Sequence, residues 1–172
     1  VAAIPYPDPE SVPGLPGIYE RIAGLGRPVI NLYRVMGHSP EGLEAYIGLS
    51  HFVRDNSELP PDLRELAILQ TGLSLGCEYI ASHHEEAARR AGVPEATIQR
   101  VLQGGREGFD AAQLAVLDYA VQVAESRSVS DDTLAGLRKH LSLRQISELA
   151  LTVGMYHMCA AILMPLRVEV DV

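Results

Sequence analysis

The chain has 172 residues, 47% of them apolar, and a formal net charge of −8. That length suits one domain with one substantial core, and the apolar share excludes a disordered chain. The negative balance argues against a nucleic-acid partner and against charge-driven binding to an anionic membrane, because both need a basic surface; a small anion held by a few local arginines stays open.

Aromatic residues make up only 5% and Trp is absent, so the core must be built from Leu, Ala, Val and Ile, a palette that suits helices. Two cysteines, Cys77 and Cys159, are too few for a disulfide scaffold in a chain of this length, and a reducing cytoplasmic setting is expected. No N-terminal stretch has the apolar core of a signal peptide.

Residues 1–17 carry Pro5, Pro7, Pro9, Pro13 and Pro16 and read as an extended arm; residues 18–172 read as a single all-helical domain. Ile18 to Met36 is helical in pattern but interrupted by Gly24, Gly26 and Pro28, which predicts two short helices or a kink. Ser39-Pro40 is a helix start, with Ser as N-cap and Pro at the first helical position, and that helix runs to about Arg54. Leu59-Pro60-Pro61-Asp62 opens the next, which ends near Gly72 to Gly76.

Cys77 begins or nearly begins a helix that stops at Gly92, a residue suited to a left-handed C-terminal cap. Pro94 starts another, ending at Gly104-Gly105. Asp110 with Gln113 and Ser142 with Gln145 have capping-box spacing, and Ser130 starts the helix between those two. No segment alternates with period two, so no sheet is expected. The sum is a compact all-α bundle of about seven to eight helices. The most apolar stretch, Leu149 to Leu166 in the last helix, is read as a buried core helix and not as a membrane span. Its more than one apolar face needs cover, which predicts a homo-oligomer with this helix near the interface.

The densest polar cluster runs from Gly76 through Cys77, Tyr79, His83 and His84 to Glu86. A thiol at a helix N-terminus ionises more readily, and Cys77 and His84, seven residues apart, lie on nearly the same face. They are two turns apart, roughly 10 Å along the axis, so a water, a substrate or a neighbouring side chain must lie between them. Local sequence equally admits an ordinary buried thiol and a solvated pair of histidines. Glu65, beside Arg64, reads on local sequence as a solvent-facing acid. His83-His84 lacks the i,i+4 spacing of helical zinc sites and no Cys pair is close, so neither metal nor cofactor is expected. His157, on an apolar helix, reads as a hydrogen-bonded core histidine, and Cys159 as core.

Arg64-Glu65-Leu66-Ala67-Ile68-Leu69, then Cys77-Glu78-Tyr79, His84 and Ala91-Gly92-Val93, resemble the carboxymuconolactone decarboxylase and alkylhydroperoxidase D-like superfamily. The likeness continues through Phe109-Asp110, Ala115 to Tyr119 and Val153 to Tyr156, covering roughly residues 40 to 170. The resemblance implies an alkylhydroperoxidase D-like bundle and homo-oligomers (dimer, trimer or hexamer). In the peroxidase branch a Glu precedes a C-x-x-C-x-x-x-H motif; Glu65, Cys77 and His84 match, whereas Ile80 replaces the second cysteine. The decarboxylase-type branch often shows Tyr-Glu-Trp-x-x-His, of which Tyr79 and His84 remain.

These departures favour proton transfer over disulfide cycling, which needs two thiols. The expectation is a decarboxylase-like enzyme acting on a small cyclic or carboxylated, lactone-like compound. His84 is the general acid or base, Glu65 orients it, and Cys77 is a third candidate catalytic residue. Tyr79, Ile80, His83 and Tyr156 line the pocket. The alternatives are a thiol-dependent peroxidase using Cys77 and a non-enzymatic oligomeric binding module.

Overall fold

In a computed structural model that describes residues 1–171, the chain forms nine α-helices and, among the described residues, no strand. They are α1 (Leu15–Gly24), α2 (Asn31–Met36), α3 (Pro40–His51), α4 (Pro61–Leu75), α5 (Glu78–Arg90), α6 (Glu95–Leu102), α7 (Ala111–Ser126), α8 (Asp131–His140) and α9 (Leu143–Leu163). The count exceeds seven to eight because the interrupted first segment is split outright. Gly26 at φ 70° and Pro28 break the backbone between α1 and α2. The arm is also shorter than its proline content suggests. A 3-10 turn at Pro9–Ser11 and the start of α1 at Leu15 replace an extended run to residue 17.

Both capping boxes form, at Asp110/Gln113 and Ser142/Gln145, so α7 and α9 start where their side chains dictate. Ser39 occupies the N-cap of α3 without a side-chain bond. Past His51 the chain widens into a π-helical turn, Phe52–Asn56, before the proline pair restarts it as α4.

The helix enclosed on all sides is α4, not α9: Glu65 to Gly72 are buried without a break. It packs against α5, α7 and α9 and separates two apolar clusters. One joins α4, α6, α7 and the first half of α9, around Leu66, Leu69, Leu117 and Leu149. The other joins α1, α2, α3, α5 and the second half of α9, and holds Tyr46, Tyr79, Ile80, Tyr156 and Cys159. Its buried tyrosines and cysteines set it apart from the first cluster, which buries neither.

By length and composition α9 is apolar enough to cross a membrane, yet half of its most apolar stretch is buried inside the bundle. The N-terminal arm lies against the C-terminal tail. Ala3 N–H donates to Leu166 O at 2.7 Å, and the Tyr6 hydroxyl to Glu169 at 2.8 Å.

Candidate active site

Gly76 ends α4 in the left-handed region, φ 66°, which turns the chain so that α5 runs back along α4. The two helices come so close that a Cβ on Gly72 would stand 2.9 Å from Ile80 Cγ2. This approach brings the buried face of α5 (Tyr79, Ile80, His84 and Ala88) against the core.

His84 is 6% exposed and is held from two sides. From α4, Glu65 Oε2 lies 2.7 Å from Nδ1; from α9, the Tyr156 hydroxyl lies 2.8 Å from Nε2. Glu65 is not solvent-facing, as local sequence suggests, but 3% exposed. Burial pushes its carboxyl up, but the His84 hydrogen bond and charge and then the Arg64 guanidinium outweigh that, so its pKa falls below the usual value. Arg64 Nε donates to Glu65 Oε1 at 3.2 Å.

An ionised carboxylate only accepts hydrogen bonds, so Nδ1 carries a proton toward Glu65. When the ring is neutral, Nε2 is then an acceptor. Tyr156 is the donor to it, because burial foremost holds its phenol well above the ordinary range. Donation therefore runs from Tyr156 to His84 to Glu65, and Arg64 donates to the same carboxylate from its other side, so that the network joins three helices.

Tyr156 and His84 open on a cavity of about 180 Å3 between α2, α3, α5, α9 and the π turn. Tyr79, Ile80 and His83 line it as well. Tyr79 donates to Asp171 and stacks on His83 at 4.4 Å, and His83 Nε2 lies 3.1 Å from the same carboxylate. Glu65 stands behind His84, outside the lining.

Cys77 stands elsewhere. It is the N-cap of α5 and lines a separate surface hollow with Gly72, Gly76 and Leu102. Burial raises its thiol above the ordinary range, the reverse of what a helix N-terminus alone suggests.

The thiol that does reach the His84 cavity is Cys159, read from sequence as core. Its Sγ is 3.0 Å from the Tyr46 hydroxyl, and burial pushes it up to about 11. Sequence reading also passes over Tyr46 and Arg54, which line the cavity from α3 and the π turn. Only a tertiary contact marks them; neither belongs to a motif. Among the described residues no group of three or more His, Cys, Asp or Glu side chains is placed to hold a metal.

The sequence pattern of the Carboxymuconolactone decarboxylase family matches residues 40–126, the stretch that holds Glu65, Cys77 and His84. No curated protein matches. Among solved structures, a peroxidase-related protein from Ralstonia eutropha JMP134 with an alkylhydroperoxidase AhpD core is similar at TM-score 0.84 and 17% identity, over 99% of this chain and 93% of that one. A peroxidase-related protein from Silicibacter sp. TM1040 gives 0.82 and 20%, over 99% and 92%. The debrominase Bmp8, solved as a cysteine-to-alanine variant in complex with 2,3,4-tribromopyrrole, gives 0.80 and 17%, over 96% and 90%. At these identities the likeness establishes a shared all-helical fold.

Proposed function

Because the chain belongs to the carboxymuconolactone decarboxylase family, we propose that it is a cofactor-independent enzyme that moves protons on a small cyclic or carboxylated substrate, with His84 as general acid–base. One observation carries the reading: the hydrogen-bonded chain from Glu65 through His84 to the Tyr156 hydroxyl, which ends at the cavity.

The chemistry follows from the proton inventory. A substrate carbon acid gives its proton to the Tyr156 oxygen as the phenolic proton passes to His84 Nε2. The imidazolium so formed is stabilised by the Glu65 carboxylate. In the reverse direction the imidazolium returns a proton through Tyr156 to an enolate, including one left by loss of carbon dioxide. Tyr46, whose phenol burial also keeps protonated, is a further neutral donor in the cavity for a developing enolate. A protein of this fold holds a halogenated pyrrole, which supports a small ring as the kind of body such a bundle accepts.

The thiol-peroxidase reading has one observation in its favour, the placement of Cys159 in the cavity. Both thiols are raised above their ordinary range, which leaves little of the thiolate that attacks peroxide. Proton transfer needs no such ionisation.

The test is solvent-deuterium incorporation, read by NMR together with carbon dioxide release, on carboxymuconolactone and a panel of small lactone carboxylates. Wild-type enzyme is expected to label or decarboxylate at least one of them. His84→Asn should lose about 10²–10⁴-fold in rate, and Tyr156→Phe a comparable factor. Full activity in His84→Asn overturns the assignment.

A further inference from the structure

The chain carries a net charge of −8, but its cavity is lined by Arg27, Arg54, Arg90, His83 and His84. Most of these have an anionic partner. Arg27 pairs with Asp55, His83 with Asp171 and His84 with Glu65. Arg90 is exposed at the end of α5, where water satisfies it. Arg54 differs: it is half-buried, it lines the cavity, and among the described residues no carboxylate lies within ion-pair distance of its guanidinium.

A desolvated guanidinium without a counter-ion is costly unless something pairs with it. Burial works against its charge. The Glu65 and Asp55 carboxylates offset this from a distance, and the guanidinium stays protonated.

Its presentation is also built. The π turn Phe52–Asn56 rotates residue 54 out of the register α3 would give it, and such turns recur at functional sites. Arg64 Nη1 donates to the Arg54 carbonyl at 3.1 Å, while its Nε holds Glu65. One side chain therefore fixes both the Arg54 backbone and the acid behind His84. Ile80, Met155 and Leu163 give the same cavity an apolar wall.

We propose that Arg54 is the specificity residue of this cavity, and that it selects a small organic carboxylate whose anion takes the guanidinium fork while its apolar body lies against Ile80, Met155 and Leu163. The fork matches a carboxylate in two parallel hydrogen bonds, which a neutral isostere cannot reproduce. The inference rests on the His84 cavity being the reaction site, but its readout is binding, not turnover.

Calorimetric titration of the full chain with benzoate and with its neutral isostere benzamide, at neutral pH and low salt, tests it. Wild type should bind benzoate at least tenfold more tightly than benzamide. Arg54→Met should bring the two within about twofold, with benzamide affinity kept as the sign of an intact cavity. Arg54→Lys should retain part of the preference, since it keeps the charge and loses the fork, and is the decisive variant if the Met variant does not fold. Arg138→Met, at an exposed position on α8 outside the cavity, should keep the preference whole.

Equal binding of the two probes to wild type, no binding of either, or an undiminished preference in Arg54→Met overturns the proposal. Loss of the proton-transfer reading, seen as full activity in His84→Asn, leaves the benzoate preference in place; loss of the preference leaves the His84 result in place.

Discussion

A carboxylate as enclosed as Glu65 survives only because two donors share it, His84 Nδ1 at 2.7 Å and Arg64 Nε at 3.2 Å. Removing the acceptor strands both. Glu65→Ala should therefore cost about 3–5 kcal/mol of stability, and Glu65→Gln distinctly less, because the amide oxygen still accepts from His84. The folded-state pKa of Glu65 is depressed, so its contribution is fully present above the ordinary carboxylate value of about 4.3 and is lost as pH falls through the folded value. Urea midpoints measured from pH 7 to pH 3 should fall less steeply for Glu65→Gln than for wild type. Parallel curves would remove Glu65 from the pH dependence.

The thiols carry a separate residue-scale expectation. Cys77 is 4% and Cys159 2% exposed, and burial raises both. Stoichiometric hydrogen peroxide at neutral pH should leave both unmodified in intact-mass spectra over minutes, because the attacking species is the thiolate. Rapid conversion of Cys159 to a sulfenic acid would instead revive peroxide chemistry in the same cavity.

At the scale of helices, the site depends on how closely α4 and α5 approach. Gly72→Ala places a methyl 2.9 Å from Ile80 Cγ2, and overpacking of that kind costs about 1–3 kcal/mol. Ile80 lines the cavity, so the variant should also weaken ligand binding, whereas a change in stability alone would mean that the strain relaxes elsewhere. A second device fixes α4 against α9. The buried Glu148 carboxylate on α9 accepts from Ser57 Oγ at 2.8 Å and from the backbone N–H groups of Glu58 and Leu59 at 2.7 and 3.1 Å, just ahead of α4.

Element boundaries were legible where local chemistry decides them: the two capping boxes, the proline starts and the glycine stops near Gly76 and Gly92. The burial of Glu148 was not, because the Ser57, Glu58 and Leu59 groups that enclose its carboxylate lie some 90 residues away. The same division explains the site. His84 stands out in the polar cluster that opens α5, and the family resemblance adds Glu65, but nothing near residue 54 in the chain tells that a π turn aims it into a cavity.

The whole molecule raises the question of what covers α9. Its inner faces are spent on the bundle, yet Leu151, Met158 and Met164 are 45%, 38% and 47% exposed. Together with the exposed Ser147, Gly154 and Ala161 they form a stripe whose steps of four and three residues are those of a helix–helix seam. His157, beside this stripe, is not the hydrogen-bonded core histidine its sequence context suggests: its buried Nε2 has no hydrogen-bond partner among the described residues. A seam of small and apolar residues fits a second copy of the same helix better than it fits water, and we propose that α9 is the centre of a homo-oligomeric interface. The His84 cavity lies on the opposite side of Tyr156 and Cys159 from this stripe, so a charge on the stripe need not disturb it. Leu151→Glu combined with Met158→Glu should convert the assembly to monomers in size-exclusion chromatography with light scattering, while benzoate binding persists within a few-fold. A wild-type chain that is already monomeric at micromolar concentration would remove the interface, and would leave the exposed stripe without an explanation in packing.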